Sequence, residues 1–430
     1  MKKLLLTVLA CATATLQAAP LPAGDARSFA MGGTGTAASH PNAAAILNPA
    51  LMSLPQPPSR DNFGLSLQVG AIVAADNELV DDVDAFQNSN VWDKLDQAIQ
   101  DFNNLNDGSP TKAQIDAALD KVIAAGEEAD RLLLQIDRDA LRADLQGSLA
   151  LVIPRGQGIS FGVFADTSVE ASGIARYEDS PLIRSIISTA KDIQNNTKPS
   201  STDLADLGST PQSNGEALVL ALTEVGFALS RPVTLGGQTW YLGASPKVLN
   251  IRTFDYKADV NTFDDSDFDA NDYESNTSTF NLDLGAARTF GPDGDVVVGF
   301  SVKNLIPKDV ETKRGRKVSI DPVARVGVAL NRATWTVTGD LELLKTKRAG
   351  FEGDKQYLRL GAEWAPVTWF ALRAGVAHNL ASDNSESDSI ASTTQGTAGL
   401  AFSVLGMGLD ITGAMSDKDV GGSVQLTAVY

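Results

Sequence analysis

The chain has one cysteine, two histidines and no late apolar run long enough to cross a membrane as a helix. The cysteine, Cys11, lies in a leader-like N-terminus. There Met1-Lys2-Lys3 precedes an apolar stretch from Leu4 to Ala10 and small residues at Ala12, Ala14, Ala18 and Ala19. A positive start, a short apolar core and small residues make a secretory signal, too short to span a bilayer. Cleavage after Ala18 is the expected site and would leave a mature chain without disulfide or thiol; lipid attachment at Cys11, after Val8-Leu9-Ala10, is the alternative. Cations are also scarce: 35 Lys and Arg against 53 Asp and Glu leave a formal charge of −18, which argues against nucleic-acid binding through a basic surface. Neither His40 nor His378 sits beside a serine or cysteine nucleophile motif, so the residues point to no enzyme, and no cofactor is implied. Only helices and closed barrels satisfy every backbone group in lipid. A membrane protein without apolar helices is therefore a barrel.

What is abundant is alternation. Between Ile320 and Tyr430 the chain reads as seven short strands with every second residue apolar. Trp335, Val337, Gly339, Leu341 and Leu343 interleave with Thr334, Thr336, Thr338, Asp340 and Glu342, and Leu358, Leu360, Ala362 and Trp364 with Tyr357, Arg359, Gly361 and Glu363. Successive strand residues face opposite sides, so one face is greasy and the other polar. A soluble sandwich alternates too, but with strands of roughly five or six residues. Longer strands and an aromatic last residue favour an all-β transmembrane barrel.

Taken in order, residues 1–18 are the signal, 19–61 a non-strand segment and 62–430 the barrel. The pattern predicts fourteen antiparallel strands near 63–73, 141–153, 158–170, 216–230, 239–256, 278–289, 295–304, 321–330, 333–344, 355–365, 367–378, 395–404, 407–415 and 420–430. Pro246 predicts a bulge, because proline cannot donate to the ladder. Placing Tyr430 on the periplasmic side puts the turns such as 231–238 and 331–332 there and every long loop, 305–320 among them, outside; of the external connections only the last, 416–419, is short. Two long insertions, near 75–140 and 175–215, carry helical spacings: Trp92, Leu95, Ile99 and Phe102; Ile115, Leu119, Val122 and Ile123; and Leu182 to Ile193.

Two stretches carry a resemblance. Asp25-Ala26-Arg27-Ser28-Phe29-Ala30-Met31-Gly32-Gly33-Thr34-Gly35, followed by Asn48-Pro49-Ala50, is similar to the N-terminus of FadL-type long-chain fatty acid channels. The resemblance implies that this segment folds back into the barrel as a plug, with Arg27, Phe29, Gly32, Gly33, Asn48, Pro49 and Ala50 as its candidate residues. Further on, Val302-Lys303-Asn304-Leu305-Ile306-Pro307, Pro322 to Ala329, Gly339 to Leu343, Tyr357 to Glu363 and Leu372 to Val376 resemble the TraF-like plasmid-transfer (conjugal transfer) family, built on the same barrel. That implies a Gram-negative outer-membrane protein acting as a plugged channel or membrane scaffold, with conjugation-apparatus proteins as partners. The FadL likeness implies, alternatively, uptake of a hydrophobic small molecule. A monomeric barrel is expected in either case, with outer-membrane lipid around it.

Alternation also puts six charges on the lumen face: Arg325, Asp340, Glu342, Arg359, Glu363 and Arg373. A two-residue turn at Asn331-Arg332 would place Arg325 opposite Thr338 and diagonal to Asp340, and pairing Trp364 with Phe370 would place Arg373 diagonal to Glu363. A ladder of alternating charge is the expectation. Two surface runs complete the reading. Asp264 to Asp272 looks like a calcium loop, but counting from Asp265 puts Ala270 and Asn276 where an EF-hand needs glycine and glutamate, so no metal site is assigned. The basic cluster Lys313, Arg314, Arg316 and Lys317 either meets lipopolysaccharide phosphates or offsets the surrounding acidic loops.

Overall fold

A computed structural model describes residues 24–55, 63–75, 82, 85–86, 88–106, 109–156, 158–207, 212–259, 269–347, 349–351, 353–381 and 393–429. The leader, with Cys11, and most of the calcium-like run lie outside these residues. Two short helices, α1 (Ala26–Ala30) and α2 (Pro41–Leu47), precede strand β1 (Gly64–Ala75). Helices α3 (Val91–Asn106) and α4 (Lys112–Ile136) follow, then β2 (Ala140–Ile153), β3 (Ser160–Arg176) and helix α5 (Ser180–Gln194). Next come β4 (Asn214–Leu235), β5 (Gln238–Asp259), β6 (Glu274–Phe290), β7 (Val296–Lys303) and a small hairpin, β8 (Lys308–Glu311) and β9 (Lys317–Ile320). The chain ends with β10 (Val323–Asn331), β11 (Trp335–Glu342), β12 (Tyr357–Val367), β13 (Phe370–Asn379), β14 (Thr394–Val404), β15 (Met407–Met415) and β16 (Asp419–Val429).

Fourteen of these strands form one closed antiparallel barrel, sealed where β1 pairs β16 from Gly64 opposite Val429 to Ala74 opposite Asp419. Closure leaves no unpaired edge, which is what a strand structure needs in lipid. The outward row is apolar and exposed: Val69, Val225, Phe280, Val337, Leu360 and Leu426 are each about half accessible. In water such a band would be a liability; in a bilayer it is the solvent-facing surface. Near the short-turn end, Trp335 lies opposite Trp364, and Trp369 packs on Phe370, which in turn packs on Phe402. Exposed aromatics clustered at one rim are where a membrane–water interface belongs.

Three sequence expectations need correction. The 231–238 connection is mostly strand: β4 and β5 continue to Leu235 opposite Gln238, closed by Gly236-Gly237 with φ of 59° and 75°. Two consecutive positive-φ residues make the tight turn whose twist suits a hairpin, and Gly-Gly supplies them without strain. Pro246 makes no bulge. Pairing with β4 lapses between Gly226/Lys247 and Leu229/Ala244, yet the register on either side is unchanged. The expected loop 305–320 contains the β8–β9 hairpin.

The two helical insertions meet each other. Helices α3, α4 and α5 bury Trp92, Leu95, Ile99, Phe102, Leu119, Val122, Ile183 and Ile186 in one core at the long-loop end. Thr111 and Gln114 form a capping box at the start of α4. Gly126 lets α5 close in, since a Cβ there would lie 2.8 Å from Ile187 Cγ1. At the base, Asp130 accepts from Tyr177 Oη at 2.8 Å and Arg184 Nε at 3.0 Å. Burial, with that carboxylate beside it, pushes the Tyr177 hydroxyl pKa up. No described helix is long and apolar enough to cross a membrane.

Candidate functional site

The lumen is occupied by residues 24–54, which bury almost every side chain against the wall. Their backbone cannot reach water inside the barrel, so its polar groups need partners on the strands. Ser148 on β2 donates to Gly24 O at 3.0 Å, and Gln425 on β16 accepts from Ala26 N at 2.5 Å. Thr397 on β14 serves twice, accepting from Gly32 N and donating to Ala30 O, both at 2.9 Å. Asp340 Oδ2 accepts from Gly35 N and Thr36 N, each at 2.9 Å. Ser230 and Ser245 donate to Ala50 O and Ala45 O. Within the segment, Asn48 is fully buried, donates to Thr36 O at 2.7 Å and accepts from Ala50 N at 3.2 Å, holding the turn that Pro49 begins. Phe29 is fully buried against Ile72 and Ala414.

The wall makes room with glycines in facing pairs. Gly361 lies opposite Gly375, Gly299 opposite Gly327 and Gly243 opposite Gly285. A Cβ on Gly375 would lie 2.1 Å from Gly32 N, one on Gly299 2.0 Å from Thr36 O, and one on Gly285 2.1 Å from Asn48 Oδ1. Gly32 and Gly33 themselves take φ of 73° and 80°, a turn that side-chain-bearing residues rarely adopt. Alanines complete the seat, with Ala44, Ala45 and Ala50 packed on Ala150, Ala228, Ala287 and Ala329.

All six predicted charges face the lumen, but their partners differ from the expected ladder. The first hairpin pairs Arg325 directly with Glu342, because its turn runs over four residues with Arg332 N donating to Trp335 O. A register irregularity between Trp364 and Val367 brings Arg373 directly opposite Glu363. Both corrections are even shifts, and a shift of two or four residues preserves the face. Two clusters result. In one, Glu342 Oε1 accepts from Arg325 Nη2 and Arg359 Nη1, both at 2.8 Å. In the other, Glu363 accepts two hydrogen bonds from Arg27 at 2.9 Å and one from Arg373 at 2.7 Å, while Arg373 also pairs with Asp410. Burial disfavours the charge on Arg27, but Glu363 more than restores it, so its guanidinium pKa sits above the usual range. Asp340 stands apart, binding the plug backbone. The sequence reading missed Asp410 and a further triad in which Lys247 bridges Glu224 and Asp283 at 2.9 Å. Strand alternation is consistent with Lys247 and Asp283 facing the lumen, but nothing local in the sequence marks them as partners.

The long-loop end is covered from two sides. The β8–β9 hairpin turns inward, packing Val310, Val318 and Ile320 on Leu220, Leu249 and Ile251 of the wall. Arg314 binds Asp255 at 3.1 Å, Arg316 binds Glu216 at 2.6 Å, and Lys317 binds Asp309 at 2.6 Å. Three of the four basic residues in that cluster thus pair with acids of the chain itself. From the other side, the segment after β11 brings Phe351, fully buried, between Arg176 and Arg316 at 5.7 and 5.2 Å from its ring centre. Lys355 reaches Glu170 across the mouth at 3.3 Å. Between these segments and the plug lies a cavity of about 310 Å³ whose wall carries Arg142, Asp144, Asp166, Glu224, Lys303 and Arg359. No His, Cys, Asp and Glu cluster suited to a metal occurs among the described residues. His40 is the residue before α2, and its side chain does not cap the helix; His378 meets Thr394 at 2.8 Å.

A closed fourteen-strand barrel with an apolar outer band and its own N-terminal segment lodged in the lumen is a plugged transmembrane β-barrel of the bacterial outer-membrane kind. The chain belongs to the family described as "F plasmid transfer operon, TraF, protein", whose model matches residues 45–342. The toluene transporter TbuX of Ralstonia pickettii shares the fold, with a TM-score of 0.53 at 13% identity over 95% of this chain and 99% of that one. The Pseudomonas putida toluene transporter TodX (TM-score 0.46, 13% identity, 96% and 98% covered) and a Pseudomonas aeruginosa FadL homologue (0.47, 11%, 96% and 98%) are more distant in shape. No curated protein matches the sequence.

Proposed function

We propose that this protein is a closed outer-membrane scaffold for plasmid transfer, exported through residues 1–18 from a Gram-negative cytoplasm and holding its three-helix tower at the cell surface for conjugation-apparatus proteins. It works as a monomeric barrel and performs no catalysis. The observation that carries this reading is the lumen: plug and wall are joined by buried ion pairs, and the remaining cavity is lined by charge. A hydrocarbon path needs apolar walls, because polar groups that lose water without gaining a partner are costly. The fold shared with a protein named as a toluene transporter favours the second reading, a channel for hydrophobic small molecules.

Mating frequency separates the two. In donor cells lacking the gene, the full chain should restore plasmid transfer. A variant with residues 88–136 replaced by a short turn, still showing the heat-modifiable gel shift of a folded barrel, should not. Toluene uptake should be the same with and without the protein. Uptake that depends on the protein, together with mating that does not, would overturn the scaffold reading.

A further inference from the structure

We propose that the cavity between the plug and the two inward-folded segments binds a small zwitterionic solute with the charge pattern of a free amino acid. The proposal rests on how the wall's hydrogen-bonding capacity is divided. On the β7, β10 and β12 side, donors are in surplus. Arg325 and Arg359 share one carboxylate, Glu342, at 2.8 Å each. Arg359 is 1% exposed, yet its Nε has no hydrogen-bond partner among the described residues. Lys303 comes no nearer than 3.9 Å to Glu224, which Lys247 already binds at 2.9 Å. On the β2 and β3 side, acceptors are in surplus. Asp166 accepts from Gln146 Nε2 at 3.2 Å, and the buried Gln146 Oε1 has no partner among the described residues.

Donor surplus thus faces acceptor surplus across one cavity lined by all five residues. A ligand that is only anionic meets Asp166, one that is only cationic meets Lys303 and the arginine pair, and an apolar one leaves both sides unsatisfied. A carboxylate directed to Lys303 and Arg359, with an ammonium directed to Asp166 and Gln146, satisfies all of them. The volume, about 310 Å³, suits a small solute.

The test uses the purified full-length barrel in detergent and calorimetric titration with three probes of one size: L-alanine, propionate, which lacks the ammonium, and ethylamine, which lacks the carboxylate. L-Alanine should bind saturably and about tenfold or more tighter than either analogue. Lys303→Met should erase the preference for L-alanine over ethylamine, and Asp166→Asn the preference over propionate. Lys303→Arg, which keeps the charge, should retain binding if Lys303→Met fails to fold. Equal affinities for the three probes, no heat with L-alanine, or unchanged affinities in folded variants would overturn the proposal. Mating frequency is measured separately, so loss of the scaffold reading would leave this result standing.

Discussion

The plug and the helical tower both lie outside the barrel wall, and they are held by opposite chemistries. The tower has its own apolar core, with Leu95, Ile99, Leu119 and Ile183 almost wholly buried among one another, and ion pairs such as Lys191–Glu127 on its surface. The plug shares its core with the wall, alanine against alanine, and its backbone donors end on Gln425, Thr397 and Asp340 of the strands. Exposed pairs like Lys191–Glu127 are worth little, whereas a buried pair is costly to break because the surviving charge has no water. The tower is therefore a unit that can fail alone, whereas the plug is coupled to the wall.

The largest effect should come from Glu363, whose carboxylate binds both a plug cation, Arg27, and a wall cation, Arg373. Glu363→Ala leaves Arg27 buried without its partner and should destabilise the barrel by about 3–5 kcal/mol, read as a lower temperature for the gel-shift transition. Adding Arg27→Ala should recover much of the loss, since Arg373 keeps Asp410. If the double variant is no better than the single, the plug is not electrostatically coupled to the wall.

Leu95→Ala in α3 should cost about 2–5 kcal/mol, but the loss should be confined to the tower. Circular dichroism should show earlier helix melting while the barrel transition stays put. A shift in both transitions would mean that tower and barrel unfold as one.

A smaller effect on stability, with a larger one on passage, is expected at the glycine seat. Gly375→Val puts side-chain atoms where Gly32 N and Met31 C now lie, within 2.2 Å of an ideal Cβ. The plug must shift, while the strand itself tolerates valine. Planar-bilayer recordings should change from silence in the native protein to resolved single-channel currents in the variant. Silence in both would place the closure at the inward hairpin and the Phe351 segment instead.

Much of this comparison was legible in the sequence, and the rest fails for a physical reason. Period two determines which face a residue occupies, so Arg325, Glu342, Arg359, Glu363 and Arg373 were placed in the lumen before any partner was known. Partner identity depends on where the chain turns. The Arg332–Trp335 turn is centred two residues further along the chain than Asn331-Arg332, which moves the first hairpin's pairing by four, and the irregularity after Trp364 moves the next hairpin's by two. The inward course of 308–320 was hidden because Val310, Val318 and Ile320 fall in a stretch that reads as a loop; their partners, Leu249 and Ile251, lie more than fifty residues away. The Arg27–Glu363 bond joins residues 336 apart, beyond any local pattern. The facing glycine pairs were visible as letters but not as a seat, since only register sets Gly361 beside Gly375.

The smallest perturbation tests the orientation on which the comparison depends. Short connections lie at the end that holds Gly64 and Val429, and the tower, the β8–β9 hairpin and the Phe351 segment lie at the other. Outer-membrane barrels keep short turns in the periplasm and long loops outside. Gln100 in α3 and Asp293 in the β6–β7 turn are both exposed, and neither contributes to a buried cluster. Cysteine at either position should leave folding unchanged, because surface substitutions away from special geometry rarely exceed about 0.5 kcal/mol. On intact cells a membrane-impermeant maleimide should label Gln100→Cys and not Asp293→Cys, and after outer-membrane permeabilisation it should label both. Labelling of Asp293→Cys alone on intact cells would put the tower in the periplasm. It would turn the hairpin and the Phe351 segment into the inner gate, with the plug facing outward.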